Sequence, residues 1–563
     1  MINKRGKIRS IVIILMISML FFIAGFVWCN LILENAPDFS VESGFYVEEF
    51  YLEMSSEPGS KIYYTLDGTR PTVQSLIYDG PILIQDATRN ENVYSMITDT
   101  STGFYRDKLE EYGIMHKDPG YKAPDYLIDK CTVIRAVAVS ASGERSEEAS
   151  ATYFVGIEPK KYDGCKIISL ISEPRNLFDS EYGIYVTGDV YEEYMEGDEI
   201  DDSWRWWLAN YRMKGSEWER EAIFHFFNED GKEELKQKGG IKIHGGVSRA
   251  MLPKGLNFYA RNTYDGQENF DFMPFDNFYK PKRMTLASGG NQVITQFSDY
   301  MMSERLEGVV DFVALRHEPY VLFINGEYWG FYWLNEKYDE KYLSYYYDVK
   351  EDNVILIKND ELKVGDEGQQ KLYYEVEKFI VEHDMTDNEN YRQACEMIDI
   401  DNYIDYNAVL TYIARQEDWP FSNWAVWRTK EAELGKYGDY RIRWLLFDCN
   451  SSAMGNVEGL VEHNTLNYLI NTSPMFGSLW ENEDFRNKFE KRILYIADEC
   501  FEKEEMNDFI DKYCEEMVPI LSMSWDRFYG SDNEKIEEFH KIMGWQRQFF
   551  EARKEVVESW FAE

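Results

Sequence analysis

The chain has 563 residues, of which 44% are hydrophobic and 16% aromatic, so it has the length for two or three domains and the composition for a sizeable core. Acidic residues outnumber basic ones by 101 to 60, which gives a formal net charge of −41. A surface this acidic repels phosphate backbones, so nucleic acid is a poor candidate partner. If the protein handles a nucleotide, divalent cations are an expected source of local charge neutralisation.

The N-terminus contains a candidate membrane segment. A stretch with four basic residues at 1–10 precedes an uncharged apolar run of 19 residues at 11–29. The run is close to the ~20 residues that span a bilayer as a helix, and its basic flank places the N-terminus inside. We therefore predict a single-pass cell-membrane protein whose bulk is extracytoplasmic. A cleaved signal peptide is the alternative, but the length of the run and the lack of a small-residue cleavage site favour an uncleaved anchor.

The seven cysteines are scattered and form neither a CxxC pair nor a zinc-ligand spacing. Cys500 and Cys514 are close enough in sequence to be a candidate disulfide. A chain with so few cysteines is nevertheless expected to carry free thiols.

Residues 30–158 are predicted to form a small all-β sandwich, because short alternating segments are separated by turn dipeptides such as Asp67-Gly68. The sequence IYYTLDGTRPT at 62–72, with later YDGP and RAVA segments, resembles the Ig-like C-terminal domain of chitobiases. An insertion near 88–127 departs from the compact pattern of that family. The resemblance implies a spacer or accessory module. Aromatics such as Tyr63 are candidate glycan contacts, although packing inside the sandwich is favoured for them.

Residues 159–563 are predicted to be a mixed α and β domain, which makes the whole chain α+β. Strand-like segments dominate its first half, and Asn325-Gly326 predicts a hairpin turn. An acidic stretch at 189–202 is predicted to be a solvated loop. From about residue 476, apolar residues recur at helical spacing.

The first chemical motif is EDWPFSN at 417–423, which lies between an apolar helical segment and a strand-like run. An Asp followed five residues later by an Asn is the arrangement of a kinase catalytic loop, in which the Asp orients the attacking hydroxyl and the Asn helps to hold a metal. Asp418 and Asn423 occupy these two positions. Read alone, the pattern is a weak signal that far more often marks an ordinary capped loop.

The second motif is WLLFDCN at 444–450, a predicted buried strand that delivers Asp448 shortly before a glycine. The metal-binding Asp of kinases lies in such a place, one hairpin after the catalytic loop. Asn450 is a candidate second oxygen ligand. The competing interpretation is an ordinary turn made by an Asp at the end of a strand.

The third motif is GGIKIHGGVSR at 239–249, followed by PKGLNFYA at 253–260. Glycines beside Ser and Arg allow the backbone to approach phosphates closely, and Lys254 opens a predicted strand that faces a possible nucleotide cleft. No P-loop signature is present. On the local pattern alone, a plain β-turn with a surface lysine is the favoured interpretation.

Together with NGEYWGFYWLNE at 325–336, these motifs occur in the order found in CotH (spore coat protein H) kinases, and the region 160–560 resembles that family. The resemblance implies an atypical, secretory-type kinase fold and an ATP-dependent protein kinase that uses Mg²⁺ or Mn²⁺. By motif, Asp418 is the expected catalytic residue. The expected metal ligands are Asp448, Asn423 and Asn450, and the expected nucleotide-contacting residues are Arg249, Lys254 and Glu336, the last at the hinge of the cleft.

Two positions depart from the family pattern: Asn450 replaces the usual second acid, and Ser298 replaces an arginine expected at the start of a helix. Both weaken the expectation of activity. The predicted function is transfer of the ATP γ-phosphoryl group to Ser or Thr of a cell-surface or spore-coat protein. The alternative is a non-catalytic envelope protein that assembles coat components or binds glycans through its β-sandwich.

Overall fold

In a computed structural model of the chain, the structure describes residues 35–101, 121–162, 164–197, 208–275, 277–415, 419–449, 460–530 and 533–562. The predicted anchor at 11–29 lies outside these residues. Within the described ranges, no helix is both long and apolar enough to cross a membrane. The chain divides into two units, Met1–Arg89 with Asp129–Glu158, and Asn90–Ile128 with Pro159–Glu563.

The smaller unit is all-β, as predicted. Its strands are β1 (Asp38–Phe39), β2 (Gly44–Tyr46), β3 (Phe50–Leu52), β4 (Met54–Ser55), β5 (Lys61–Thr65), β6 (Leu76–Ile77), β7 (Ile82–Ile84), β8 (Thr132–Val139) and β9 (Ala149–Val155). The main sheet has the order β2-β9-β8-β5-β6, and β1-β4 and β3-β7 form two further pairs. Tyr63 of β5 is buried, which fits the packing role favoured for it over sugar contact.

The described part of the predicted insertion belongs to the larger unit. The backbone N–H groups of Val93 and Ser95 donate to the buried Glu327 carboxylate at 2.5 and 2.7 Å. Arg527, which is fully buried, donates to the Tyr121 hydroxyl at 2.5 Å. These contacts explain why the segment departs from a compact sandwich pattern: its partners lie several hundred residues later in the chain.

The first half of the larger unit is a closed seven-stranded barrel in the order β10-β11-β12-β13-β14-β16-β15. Its strands are β10 (Lys166–Ile171), β11 (Arg220–Phe227), β12 (Glu233–Ile243), β13 (Leu256–Tyr259), β14 (Arg283–Ala287), β15 (His317–Ile324) and β16 (Glu327–Asn335). The β15–β16 hairpin turns at Asn325-Gly326, both at positive φ, as the dipeptide predicted. Parallel pairing of β10 with β15 closes the barrel.

A second sheet follows, in the order β18-β17-β19-β20. Its strands are β17 (Val354–Lys358), β18 (Glu361–Val364), β19 (Ala425–Thr429) and β20 (Arg443–Leu445). The last strand is shorter than the predicted run through Asp448, which lies three residues beyond it.

Helices make up most of the rest of the larger unit. They are α1 (Pro174–Phe178), α2 (Gly188–Glu196), α3 (Asn262–Asp265), α4 (Ser298–Leu306), α5 (Glu340–Tyr347), α6 (Lys371–Glu382), α7 (Asn388–Met397), α8 (Ile400–Tyr412), α9 (Thr465–Thr472), α10 (Pro474–Trp480), α11 (Glu483–Phe501), α12 (Lys503–Tyr529) and α13 (Asn533–Ser559). The helical C-terminal region was predicted correctly. The stretch 189–202 was wrongly predicted to be a loop throughout, since α2 covers its beginning.

Helix α13 is tied to the end of α8 by a buried arginine. The Arg553 guanidinium donates to the carbonyl oxygens of Thr411 and Tyr412 at 3.0 and 2.7 Å, and to those of Val461 and His463 at 2.5 and 2.9 Å. A cation at the C-terminal end of a helix also complements the helix dipole. The end of α8, which leads towards Asp418, is thereby fixed to the helical core.

Candidate active site

Asp448 lies in the loop that leaves β20, at the edge of the second sheet. Its φ is +59°, in the left-handed region that residues other than glycine seldom adopt. The Arg415 guanidinium donates to the Asp448 carbonyl oxygen, and the Tyr338 hydroxyl donates to the Leu446 carbonyl oxygen at 2.6 Å. The backbone on both sides of the predicted metal ligand is therefore anchored by side chains from other elements.

A second carboxylate, Asp299, lies beside this loop. It belongs to the first turn of α4, and its Oδ1 accepts a 2.6 Å hydrogen bond from the Cys449 backbone N–H. Burial, followed by repulsion from the Asp448 carboxylate, raises the pKa of Asp299 to about 6. The two carboxylates therefore lie close enough for their charges to repel each other.

Lys358 and Arg415 are cations beside this acidic pair, and the charge of each lowers the pKa of Asp299. Lys358 ends β17, and its Nζ lies 3.6 Å from the centre of the Phe447 ring. Burial lowers the pKa of Lys358 to about 8, while the Asp448 charge opposes that shift. The Lys358 side chain therefore faces the Asp448 loop from β17, although β19 lies between β17 and β20 in the sheet.

Lys337 brings a second lysine to the same region from the barrel. It follows β16, and its Nζ donates to the Asn257 Oδ1 on β13, which also accepts from the Thr285 hydroxyl at 3.2 Å. Burial, reinforced by the charge of Lys358, lowers the pKa of Lys337 to about 7. The pKa of buried His244 is likewise lowered, first by burial and then by Lys337 and Lys358.

The site thus combines two mutually repelling lysines with two mutually repelling carboxylates. Lysines whose charges repel one another are stabilised by an incoming anion, and paired carboxylates by an incoming cation. A polyphosphate with its divalent cation presents both charges at once. The arrangement is suited to such a ligand.

Two of the predicted nucleotide contacts, Arg249 and Lys254, make buried contacts with the protein itself. Arg249 donates to the carbonyl oxygens of Gly245, Tyr211 and Met213 at 2.8, 3.2 and 2.9 Å. Lys254 is fully buried, donates to the Arg249 carbonyl oxygen at 2.8 Å, and has its Nζ 3.7 Å from the centre of the Tyr211 ring. In this structure both cations fasten the glycine-containing turn, and their contact with phosphates stays a prediction.

The predicted hinge residue Glu336 also makes internal contacts. Its carboxylate accepts from the Tyr346 hydroxyl at 2.6 Å and from the Arg316 backbone N–H at 3.0 Å. Burial raises the pKa of Glu336 to about 7 despite these donors. The next residue, Lys337, contacts Asn257 instead, so these two consecutive side chains have different partners.

Of the predicted catalytic-loop and metal residues, Asp418 and Asn450 lie outside the described residues. Asn423 is described, with a φ of +55°. The next residue, Trp424, exchanges hydrogen bonds with Asn359: the Trp424 N–H donates to Oδ1, and the Asn359 N–H donates to the Trp424 carbonyl oxygen, each at 3.1 Å. Asn423 therefore directly precedes a residue that is hydrogen-bonded to Asn359, and Asn359 directly follows Lys358.

Asp299, Lys337, Lys358 and Arg415 were missed as site residues. In the sequence, Asp299 stood out only because it follows Ser298, the position that departs from the family pattern. Arg415 stood out only because it lies three residues before Asp418. Each of the two lysines ends a strand-like run, which is a weak signal because many surface lysines do the same.

Comparison with protein families assigns this architecture. A family model described as CotH kinase protein matches residues 241–557, which is more than half of the chain. All four of the missed site residues and Asp448 lie inside the matched region. The chain belongs to the CotH kinase family. A second model, described as Fn3 associated, matches residues 52–153, so the β-rich unit is similar to that domain. This match does not test the resemblance to the C-terminal domain of chitobiases. No curated protein matches the chain.

Proposed function

We propose that this protein is an atypical protein kinase that transfers the γ-phosphoryl group of ATP to a Ser or Thr hydroxyl of a cell-surface or spore-coat protein. The observation that carries the proposal is the position of Lys358. It lies within electrostatic range of Lys337 on one side and of Asp448 and Asp299 on the other. Membership of the CotH kinase family supports the same reaction class.

Phosphate binding is assigned to Lys337 and Lys358. In a chain with a net charge of −41, a triphosphate needs a local region of positive potential to bind. The two lysines supply it from different elements, one from the barrel and one from the second sheet. Phosphates between them would relieve the repulsion that lowers the pKa of Lys337.

A divalent cation fits the acidic side of the site. Burial disfavours the charged form of Asp299 and the Asp448 carboxylate repels it, so a bound cation would stabilise both acids, and hard oxygen donors are what Mg²⁺ and Mn²⁺ prefer. Asp448 would hold the ion, with Asn423 and Asn450 as further oxygen donors. When bound, Mg²⁺ or Mn²⁺ supplies neutralisation of the phosphate charge that grows during transfer.

Asp418 is assigned the acceptor side of the reaction. It would accept the proton of the attacking hydroxyl as that oxygen forms a bond to the γ-phosphorus and the bond to the β–γ bridging oxygen breaks, which releases ADP. Arg415, three residues earlier, is fixed to the Asp448 carbonyl oxygen. That contact links the beginning of the catalytic segment to the metal-binding loop.

The proposed location follows from the apolar segment at 11–29. An uncleaved helix there would anchor the protein in the cell membrane and place the kinase unit outside, where surface and coat proteins are found. The β-rich unit would serve as a spacer or a glycan-binding module. A non-catalytic envelope protein with the same fold is the competing function.

Transfer of label from γ-³²P-ATP, with envelope extract as acceptor, tests the proposal. Asp448→Ala is expected to lower incorporation at least about 100-fold, since loss of a group that stabilises the transition state costs several kcal/mol. Asp401→Ala is the matched control, because that carboxylate is 72% exposed and lies at the start of α8, at the opposite end of the helix from Arg415.

Thermal stability gives an independent measurement. Mg²⁺ with ATP at ~100 times the dissociation constant should stabilise the wild-type protein by about 2.7 kcal/mol, and Asp448→Ala should lose most of that effect. Equal label transfer by Asp448→Ala and wild type is the result that rules out the proposed mechanism. A wild-type protein with neither transfer nor stabilisation, but with binding to a glycan array, supports the non-catalytic function.

A further inference from the structure

The backbone around Asp448 is held at three points. The Tyr338 hydroxyl donates to the carbonyl oxygen two residues before Asp448, at 2.6 Å. Arg415 donates to the Asp448 carbonyl oxygen itself. The third contact is the 2.6 Å hydrogen bond from the Cys449 N–H to the Asp299 carboxylate. Together they bracket a residue whose own backbone conformation is unusual.

The three contacts hold Asp448 in its left-handed backbone conformation. A left-handed conformation at a non-glycine residue is disfavoured and persists only where its surroundings impose it. At Asp448 the φ of +59° determines the direction in which the carboxylate leaves the chain. Loss of one of the three contacts would allow the loop to relax towards an ordinary conformation and turn the carboxylate away.

The contact made by Asp299 has the least local origin of the three. Asp299 is 150 residues from Cys449 and belongs to α4, whereas Arg415 follows α8 and lies only 33 residues from Asp448. Its acceptor is a carboxylate, and hydrogen bonds to charged acceptors are stronger than neutral ones. The carboxylate also stays next to Asp448 even though the two charges repel each other.

We propose that Asp299 is a positioning residue for the phosphotransfer reaction: by accepting the Cys449 N–H, it holds the Asp448 carboxylate in the orientation that meets the divalent cation and the phosphates. The inference rests on the proposed kinase function. It adds a residue from α4 to a site whose other residues come from the second sheet, from Arg415 after α8 and from Lys337 after the barrel strand β16. Asp299 is not itself assigned contact with the substrate.

The hydrogen bond can be tested without nucleotide by hydrogen–deuterium exchange of the full-length protein. In Asp299→Ala, the peptide containing Cys449 should exchange at least about tenfold faster, since a hydrogen bond to a charged acceptor is worth more than the ~1.4 kcal/mol that a factor of ten represents. Asp299→Asn keeps a neutral acceptor oxygen, so its exchange should lie between that of wild type and that of Asp299→Ala. Glu304→Ala, on the same helix α4, is the matched control and should leave this peptide unchanged.

The functional consequence is measured by titration with Mn²⁺ in the presence of a non-hydrolysable ATP analogue. Asp299→Ala should bind Mn²⁺ at least about tenfold more weakly, and Asp299→Asn should stay within about threefold of wild type. Circular dichroism and the melting temperature of each variant show whether it is folded. A merely structural role would lower the melting temperature without this difference between the Ala and Asn variants.

Three results separate the hypotheses. If wild type binds Mn²⁺, Asp448→Ala does not, and Asp299→Ala binds normally, this inference is overturned while the kinase proposal stands. If Asp299→Asn is as impaired as Asp299→Ala, the charge matters and the positioning bond does not, which also overturns it. If wild type binds no Mn²⁺ with nucleotide, the kinase proposal fails, whereas the exchange of Cys449 still reports the contact.

Discussion

Lys337 is a half-buried lysine whose ammonium group contacts an amide oxygen, that of Asn257. A charge withdrawn from water is costly unless it is well paired, and here burial and the neighbouring Lys358 lower the pKa of Lys337 to about 7. The protein's own groups stabilise such a charge poorly. Lys337 is correspondingly well suited to bind an anion, because the ligand supplies the missing counter-charge.

Protonation of Lys337 should be visible in stability. An unfolded lysine titrates near 10.4, so between about pH 7 and 10 the unfolded state binds more protons than the folded state, and the free energy of unfolding rises with pH. Lys337→Met should remove this part of the rise, by more than about 1 kcal/mol, since one pKa unit corresponds to about 1.4 kcal/mol. Melting temperatures of wild type and variant at pH 7 and pH 9 measure the difference.

Lys350→Met is the control, because Lys350 is exposed and its removal should leave the pH profile of wild type intact. Parallel profiles for wild type and Lys337→Met would contradict the half-buried, partly deprotonated lysine. Comparison of variant with wild type at each pH cancels the contribution of other titrating groups.

Among the elements, β20 is tied to the beginning of α8 by one arginine. Arg443 is 1% exposed and donates to both carboxylate oxygens of Asp439 at 2.8 Å each. Its Nη2 also lies 2.9 Å from Asp399 Oδ2 at the N-terminus of α8. Burial opposes ionisation of Asp439, but hydrogen bonds from Arg443 and Arg441 hold the pKa of Asp439 at about 2.

This ion pair aligns two functional segments, since α8 leads to Arg415 and β20 leads to Asp448. Arg443→Met should destabilise the protein by about 3–5 kcal/mol, because it removes the closer partner of the buried Asp399 carboxylate, at 2.9 Å, and leaves Arg441 at 3.5 Å. Arg441→Met should cost much less, since its side chain is 31% exposed. Denaturant unfolding of the two variants measures both values, and equal losses would argue against a special role for Arg443.

The sequence predicted elements with strong local signals and missed contacts that depend on tertiary structure. The β-rich character of the smaller unit was predicted, because alternation and turn dipeptides are local signals. Closure of the barrel was not predicted, since parallel pairing of β10 with β15 leaves no trace at either strand alone. Strand β20 is shorter than predicted because its partner β19 begins at Ala425, opposite Leu445, and no local pattern in the sequence signals that end.

The candidate site shows the same division. Asp448 was identified because a strand followed by an acid and a glycine is a local pattern. Asp299 and Lys337 were not, since only the folded chain brings α4 and the end of β16 to the Asp448 loop. Arg249 and Lys254 looked available in the sequence, but the carbonyl groups that occupy them come from residues 211–213 and from the turn itself.

At the scale of the whole molecule, the chain passes between the two units three times, after residues 89, 128 and 158. The segment between the first two crossings is fixed to the larger unit by Glu327, which is 3% exposed. Glu327 accepts the backbone N–H groups of Val93, which is exposed, and of Ser95, which is buried, so without the carboxylate the Ser95 donor would be buried without this acceptor.

Glu327→Ala should therefore destabilise the larger unit by about 1–3 kcal/mol, from the unsatisfied buried donor of Ser95. Tryptophan fluorescence follows this unit selectively, because every tryptophan other than Trp28 lies at or beyond Trp204. Glu229→Ala is the control, as that side chain is 55% exposed. An unchanged fluorescence melting curve in Glu327→Ala would show that the segment contributes nothing to the stability of the larger unit.

The interrupted smaller unit sets the order in which the chain can mature during synthesis. Strand β8, which pairs with β5, leaves the ribosome only after the inserted segment, so the main sheet cannot close until about residue 155 has emerged. The inserted segment then waits much longer, because Glu327 lies 234 residues after Val93 and Arg527 lies 406 residues after Tyr121. Since domains tend to fold in turn from the N-terminus, the β-rich unit should complete first and carry an unpartnered loop until translation is nearly finished.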